Sequence, residues 1–142
     1  MIITIFSLDR ISKIEIINNF SETTYFVNNF INFDLIWNTG IGFGLFSSDT
    51  SLFYNSITIL IGLVILILFY IAFTTENLER LIYSIIIGGA FGNFYDRLVY
   101  NAVPDFIDLH YGDFHWFTFN VADIFITLGI ITFLMKNFFV KN

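Results

Sequence analysis

Long apolar stretches separated by short polar segments are the dominant pattern along this chain. The clearest stretch runs without a charge from 52 to 73, long enough to cross a hydrocarbon core of roughly 30 Å as a helix. A polar hinge follows, then apolar stretches at 81–99 and 121–140, the last with Lys136 near its far end, as is typical of membrane helices. The pattern predicts three membrane-spanning helices.

The first segment, 1–17, is less apolar because Asp9, Arg10 and Lys13 stand among its isoleucines. Asp9 and Lys13 are one helical turn apart, so they can pair on one face, which makes an ionisable couple tolerable inside a helix bundle. We therefore predict a short fourth span. An amphipathic surface helix is an alternative. A secretory signal peptide is disfavoured, since here the charges follow the apolar residues.

The segment 18–51 is too polar to cross a bilayer and too aromatic to be a plain linker, so we expect it at the membrane interface. Its part from 33 to 46 has the composition of a strand. Gly40, Gly42 and Gly44 alternate there with apolar residues, which predicts one strand face of bare backbone for close packing.

Composition agrees with a membrane protein, since 56% of the residues are hydrophobic and only 13% are charged. The absence of cysteine excludes disulfides, a thiolate nucleophile and cysteine-based metal centres. With a net charge of -6, nucleic acid is not an expected partner. The predicted fold class is an all-α membrane protein: one domain, 1–142, with four transmembrane helices and a small extracytoplasmic β-strand segment packed at the membrane interface.

Two carboxylates are predicted to meet near the outer end of the last helix. Between the third and fourth spans, Gly112 and Asp113 signal a turn. If the chain reverses there, Asp105 lies opposite the start of the last helix, close to Asp123. Two carboxylates in a partly dry pocket share a proton, so that one activates water while the other acts as an acid. This is the chemistry of an aspartic peptidase.

On the third span, Gly89, Asn93 and Asp96 share a helix face by their spacing, and Gly88 and Gly92 would let another helix approach closely. This face is predicted to point into the protein, at the depth of the two carboxylates.

Simpler roles exist for several of these residues. Asn120 and Asp123 are also a typical N-cap with a first-turn carboxylate. Asp96 beside Arg97 is interpreted as a local ion pair at a helix end.

A metal site is a further alternative, since His110, Asp113 and His115 are possible ligands. In an aromatic interfacial loop such spacing is more often incidental, so no metal site is predicted. Trp116 and Phe117 are interpreted as interfacial anchors.

Taken together, these motifs resemble the lipoprotein signal peptidases (signal peptidase II). The matching blocks appear in family order and are Asp9-Arg10-Ile11-Ser12-Lys13, Asn38-Thr39-Gly40, the run from Gly88 to Arg97, Asp105-Phe106-Ile107-Asp108 and Phe119-Asn120-Val121-Ala122-Asp123. Two departures stand out: Arg10 replaces a usual glutamine, and Pro104 replaces a valine, which should hold Val103 extended.

The resemblance implies a monomeric, multi-pass enzyme of the bacterial inner (cytoplasmic) membrane, surrounded by membrane lipid, with its site near the extracytoplasmic face. It implies prolipoprotein substrates, cut just before a diacylglyceryl-modified cysteine, and neither a metal nor an organic cofactor. Asp105 and Asp123 match the family's catalytic pair. The residues that match substrate-binding or site-supporting positions are Asp9, Lys13, Asn38, Gly40, Asn93, Asp96, Arg97 and Asn120.

Sidedness follows from the basic residues. Cytoplasmic segments of membrane proteins carry an excess of lysine and arginine. Three basic residues, Arg10, Lys13 and Arg97, can be explained by pairing with neighbouring carboxylates. The remaining ones, Arg80 and the lysines near the C-terminus, therefore predict that the hinge and the C-terminus are cytoplasmic.

Two other classes of protein remain open. A small proton or ion carrier would string its intramembrane carboxylates through the thickness of the membrane. A structural subunit of a larger complex would have no use for the convergence of polar residues predicted here. The ionisable groups are predicted to lie at one depth, and the 52–73 span contributes none. This arrangement favours a localised catalytic site over a proton or ion pathway across the membrane.

Overall fold

The protein, seen in a computed structural model that describes residues 1–40 and 50–139, is mostly helical with one small antiparallel sheet. In chain order its elements are α1 (Ile2–Asn19), β1 (Tyr25–Asn28), β2 (Ile31–Asn38), α2 (Thr50–Thr74), α3 (Asn77–Tyr100), β3 (Val103–Tyr111), β4 (Phe114–Phe119) and α4 (Val121–Phe139). The four helices lie where the hydrophobic pattern predicts helices, with ends that differ by a few residues.

Two of the described helices are long and apolar enough to cross a membrane: α2 from Tyr54 to Thr74, and α4. Only 17% of the apolar window of α2 and 11% of that of α4 are buried inside the protein. The core helix of a soluble protein would instead hide its apolar side chains. The outward-facing side chains of α2 and α4 therefore suit a lipid environment.

Helix α3 is the centre of the bundle and contacts α1, α2 and α4. A Cβ atom on Gly88 would lie 2.9 Å from the Cβ of Ile5 on α1, and one on Gly89 would lie 2.5 Å from the carbonyl oxygen of Ala122 on α4. Side chains at these positions would push the neighbouring helices away. The predicted close approach of another helix is confirmed, and it occurs on two sides of α3.

The four strands form one sheet in the order β1-β2-β3-β4, with every neighbouring pair antiparallel. The prediction of an all-α protein with strand structure confined to 18–51 is therefore wrong in part. Half of the sheet comes from β3 and β4, a hairpin that reverses at Gly112, where φ is +60°. The reversal itself was predicted, but the aromatic residues on either side form strands because β3 and β4 pair with each other and β3 also pairs with β2.

The predicted strand at 33–46 begins earlier and ends at Asn38, and Gly42 and Gly44 lie outside the described residues. Gly40 has φ +76°, a left-handed conformation that favours glycine, and within residues 1–40 and 50–139 no atom lies within 4 Å of the position a Cβ would take. The prediction of a bare strand face depends on Gly42 and Gly44 as well and stays a prediction. Val103, the first residue of β3, has the extended conformation expected of a residue before proline.

Candidate active site

Asp105 lies on β3, is only 5% exposed, and accepts hydrogen bonds on both carboxylate oxygens. The side-chain amide of Asn38 donates to Oδ2 at 2.9 Å, and that of Asn120 donates to Oδ1 at 2.6 Å. Burial raises the pKa of Asp105 above its ordinary value, and the negative charge of Asp123 adds to this, against the two amide donors. This carboxyl group is therefore disposed to keep a proton.

Asp123 lies in the first turn of α4 and is held by backbone and side-chain amides. Asn93 donates to its Oδ1 at 2.8 Å, and the backbone N–H of Asn120 donates to its Oδ2 at 3.1 Å. In return the backbone N–H of Asp123 donates to Oδ1 of Asn120 at 3.1 Å. This reciprocal pair is a capping arrangement at the start of α4, so the N-cap interpretation is correct.

Asn120 joins the two carboxylates. It is fully buried, and it donates through its side chain to Asp105 and through its backbone to Asp123. Two acidic residues that are far apart in the sequence thus share one neighbour at the junction of β4 and α4. The convergence predicted from the turn at Gly112 is present.

Behind the carboxylates lies a buried group of four charged residues, Asp9, Arg10, Lys13 and Asp96, which we call the ion quartet. Nζ of Lys13 donates to Asp9 at 2.8 Å, to Asp96 at 2.7 Å and to Oδ1 of Asn93 at 2.8 Å. Arg10 donates to the other oxygen of Asp96. Two positive and two negative charges leave the quartet neutral, which is the condition for keeping such groups out of water.

The quartet is connected to the carboxylate pair at two points. Asp9 accepts a hydrogen bond from the backbone N–H of Ala122 at 3.0 Å, immediately before Asp123. Asn93 accepts from Lys13 on one side and donates to Asp123 on the other. The quartet therefore fixes both the start of α4 and the orientation of the Asn93 amide.

Arg10 is a site residue that the sequence did not place in the site: it was expected to pair with a neighbouring carboxylate and was noted as a departure from the family pattern, but its partner is Asp96 on α3. Its guanidinium carbon lies 5.0 Å from the ring centre of Tyr95 and 5.9 Å from that of Tyr100, in addition to the ion pair with Asp96. An arginine within an isoleucine-rich helix was the available signal, since such a charge needs a buried partner.

The predicted local pair of Asp96 with Arg97 is wrong. Consecutive helical residues point in different directions, and Asp96 faces α1, where Arg10 and Lys13 neutralise it. Arg97 donates instead to the backbone carbonyl of Asn93 at 3.1 Å. Its partner therefore differs from the predicted one, and its role in the site stays a prediction.

Asn38 and Gly40 lie at the end of β2, on the other side of Asp105. Oδ1 of Asn38 accepts a hydrogen bond from the backbone N–H of Gly40 at 2.8 Å. This bond orients the amide so that its nitrogen points at Asp105. Gly40 therefore acts on the site through Asn38.

Two apolar cavities adjoin these polar residues. One of about 550 Å³ lies among α2, α3 and α4, with Asn93 and Arg97 in its wall. The other, of about 450 Å³, lies between the hairpin and α4, with Asp123 in its wall. An apolar chain in the smaller cavity would lie beside the carboxylate of Asp123, and one in the larger cavity would lie beside the amide of Asn93, which donates to that carboxylate.

The residues considered as metal ligands are only partly brought together. His110 and His115 are cross-strand neighbours, but the acidic residue beside them is Asp108 and not Asp113. Asp113 lies in the hairpin turn between the strands.

A helical bundle with lipid-suited outer helices and two adjoining carboxylates at one end defines the class of this molecule, a membrane protein with a carboxylate-based site. The family model described as signal peptidase (SPase) II matches residues 1–139. The chain therefore belongs to the signal peptidase II family, and it is a peptidase that removes signal peptides from prolipoproteins.

Individual relatives agree. A lipoprotein signal peptidase of Pelagibacter ubique (strain HTCC1062) is 50% identical over 145 residues, covering 100% of this chain and 87% of the relative. One of Anaplasma phagocytophilum (strain HZ) is 42% identical, covering 92% and 84%. A solved bacterial membrane enzyme superposes with a TM-score of 0.74 at 30% identity, covering 99% of this chain and 88% of that one.

Proposed function

We propose that this chain is a membrane-embedded aspartic endopeptidase in which Asp105 and Asp123 together activate a water molecule. The observation that carries the proposal is the shared contact with Asn120, which brings two carboxylates to one place with uncharged amides as hydrogen-bond donors. Neutral donors hold the carboxylates in position without fixing a proton on either one, so the pair can exchange a proton with substrate.

The environments of the two residues suggest their roles. Asp105 is the more buried, and its raised pKa suits the acid that donates a proton to the carbonyl oxygen of the scissile bond. Asp123 then acts as the base: it takes a proton from water as the water oxygen bonds to the carbonyl carbon. When the carbon–nitrogen bond breaks, that proton passes to the leaving amine, and Asp105 recovers its own from the product hydroxyl.

The substrate that suits this site is a signal peptide joined to a diacylglyceryl-modified cysteine, cut just before that cysteine. The cavities of about 550 Å³ and about 450 Å³ on two sides of the polar residues are apolar enough for a signal-peptide helix and for acyl chains. Arg97, in the wall of the larger cavity, would meet the polar backbone near the cleavage point.

We further propose that α1 and α3 also cross the inner membrane, giving four spans, with the chain working as a monomer. The supporting observation is that the charges of α1 lie in the neutral quartet, while Ile3, Leu8 and Ile11 are exposed on its outer surface. A hydropathy average treats each of these charges as unpaired, although pairing within the quartet offsets most of the free-energy cost of placing them in a membrane.

The same pairing supports the proposed orientation. With Arg10 and Lys13 buried in the quartet, Arg80 and Lys136 at the opposite end of the bundle favour a cytoplasmic hinge and C-terminus. The carboxylate pair then lies near the extracytoplasmic face.

A proton carrier receives no support from the described residues. The quartet and the carboxylate pair lie at one end of the bundle, and the pair of Lys136 with Glu79 lies at the other. The intervening parts of α2 and α4 present apolar side chains, which do not relay protons.

The test uses purified protein with a lipid-modified prolipoprotein and with its unmodified form. We expect cleavage of the lipid-modified substrate only, and a loss of about 10³-fold or more in Asp105→Asn and in Asp123→Asn. Asp34→Asn, which changes an acidic residue of β2 that accepts from Thr24, is the matched control and should retain activity. Turnover at the normal rate in either asparagine variant of the pair would refute the assignment.

A further inference from the structure

We propose that Asp108, His110 and His115 form a binding site for a divalent metal ion on the β3–β4 hairpin, for Zn²⁺ or an ion of similar preference such as Co²⁺ or Ni²⁺. Each of the three residues offers one ligand atom, and these atoms all lie within 4.8 Å of one another. This site is separate from the carboxylate pair and independent of the peptidase reaction.

Strand geometry places the three side chains on one face of the hairpin. Asp108 and His110 are two residues apart on β3, so they point to the same side. His110 pairs directly with His115 on β4, and the register shift after Leu109 leaves Trp116 as the extra residue of a bulge. The two imidazole rings lie 5.5 Å apart, centre to centre.

The distances within the group suit a shared ion better than a closed hydrogen-bond network. Nδ1 of His115 is 2.7 Å from Oδ2 of Asp108, a hydrogen bond, but Nδ1 of His110 is 3.6 Å from the same oxygen, which is too long for one. Two ligand atoms at about 2.0–2.1 Å from a tetrahedral zinc ion are about 3.4 Å apart. His115, whose side chain is 57% exposed, has room to turn toward such an ion.

An unsatisfied buried nitrogen is the second, independent observation. The side chain of His110 is 8% exposed, and among residues 1–40 and 50–139 its Nδ1 has no hydrogen-bond partner. A buried polar atom without a partner costs free energy that a bound metal ion would recover. Asn32 pairs in register with Asp108, and its buried Oδ1 is likewise without a donor in the described structure.

The donor set selects the class of ion. Two imidazoles and one carboxylate, without a thiolate, are typical ligands of zinc and its neighbours and not of calcium or magnesium, which prefer oxygen alone. The fourth position would be taken by water or by the Asn32 amide oxygen.

Metal binding would link β4 to β3, the strand that carries Asp105. Asp105 lies three residues before Asp108 on β3 and therefore points to the opposite side of the sheet. A metal ion at the proposed site would stiffen this strand without touching the carboxylate pair. Its effect should appear as stability of the folded protein, because an ion that binds only the folded state shifts the folding equilibrium.

The experiment measures Zn²⁺ binding by titration calorimetry on the full-length chain, purified without a histidine tag, and Co²⁺ binding by its visible absorption. We expect one ion per chain, a Co²⁺ spectrum of nitrogen and oxygen ligation, and a rise in melting temperature with Zn²⁺. His115→Ala should weaken binding at least tenfold and abolish the rise, and since His115 is exposed this variant should fold normally.

Asp113→Asn is the matched control, because Asp113 is an acidic residue of the same hairpin outside the proposed ligand set. It should bind Zn²⁺ as the unmodified protein does, whereas Asp108→Asn should not. Equal Zn²⁺ affinity in His115→Ala and the unmodified protein would overturn the proposal, as would the absence of saturable binding in the unmodified protein. Peptidase activity does not enter the readout, so the result is independent of the proposed reaction.

Discussion

The ion quartet and the carboxylate pair lie side by side, each with two buried or half-buried aspartates, yet their partners are of opposite kinds. Asp9 and Asp96 accept from the cations Lys13 and Arg10, so their charges are cancelled. Asp105 and Asp123 accept, within the described part of the chain, only from uncharged amides. Cationic partners make a carboxylate structural, and neutral partners leave it able to take and give a proton.

The two regions also differ in exposure. Asp9, Lys13 and Asp96 have no solvent-accessible surface, whereas Asp123 is partly exposed and borders an apolar cavity. Three of the four quartet residues are thus closed to solvent and Arg10 is only 8% exposed, whereas the pair opens toward the space where substrate would lie. Asn93 belongs to both, because it accepts from Lys13 and donates to Asp123.

The largest expected effect comes from Lys13→Met, which removes one cation from the closed quartet. Asp9 would then be buried without a cationic partner and Asp96 would keep only Arg10, and breaking a buried ion pair in this way costs about 3–5 kcal/mol. Thermal unfolding in detergent micelles should show a large drop in melting temperature. A variant as stable as the unmodified protein would mean that the quartet contributes no net stability.

The next effect tests the link between the regions. Asn93→Ala removes the donor to Asp123 while Lys13 keeps two carboxylate partners. We expect peptidase activity to fall about 10–100-fold through kcat, since loss of one orienting hydrogen bond typically costs about 1.5–3 kcal/mol when the partner is charged. The matched control is Asn137→Ala on α4, where the amide donates to the backbone carbonyl of Phe133 and not to a site residue. Equal loss in both variants would rule out a specific role for Asn93.

A third prediction uses the raised pKa of Asp105. Because the folded state holds this proton more tightly than the unfolded chain, folding stability is lost as pH rises from the ordinary value of 3.8 through the raised pKa. Asp105→Asn is neutral at every pH, so relative to the unmodified protein it should gain stability as pH rises through this window. Unfolding midpoints of both proteins from about pH 3 to 8 check this. A difference that does not change with pH would contradict it.

The smallest effect is expected at the other end of the bundle. Lys136 pairs with Glu79 where both side chains are partly exposed. Lys136→Met should therefore cost less than about 1 kcal/mol, because solvent screens such pairs. Comparing the stability loss of Lys136→Met with that of Lys13→Met separates the effect of burying an ion pair from the effect of losing any ion pair. Similar losses in the two variants would show that burial of the quartet is not what makes it matter.

Much of this arrangement was predictable from local pattern. The apolar stretches placed all four helices, the Asp9–Lys13 spacing predicted a pair now seen at 2.8 Å, and Gly112 predicted the reversal that brings Asp105 to the start of α4. These features depend on residues a few positions apart, where periodicity and turn preference decide the outcome.

The amino-acid sequence was enough to predict the helices, the reversal between the last two, and the residues available for chemistry. The contacts between distant residues became visible only in the folded protein: Asp96 faces Arg10 and not Arg97, the aromatic segment from Val103 to Phe119 forms half of a sheet, and Asp108 lies beside two histidines. Strand pairing and buried ion pairs join residues that are far apart in the chain, so the choice of partner depends on how the helices and strands pack.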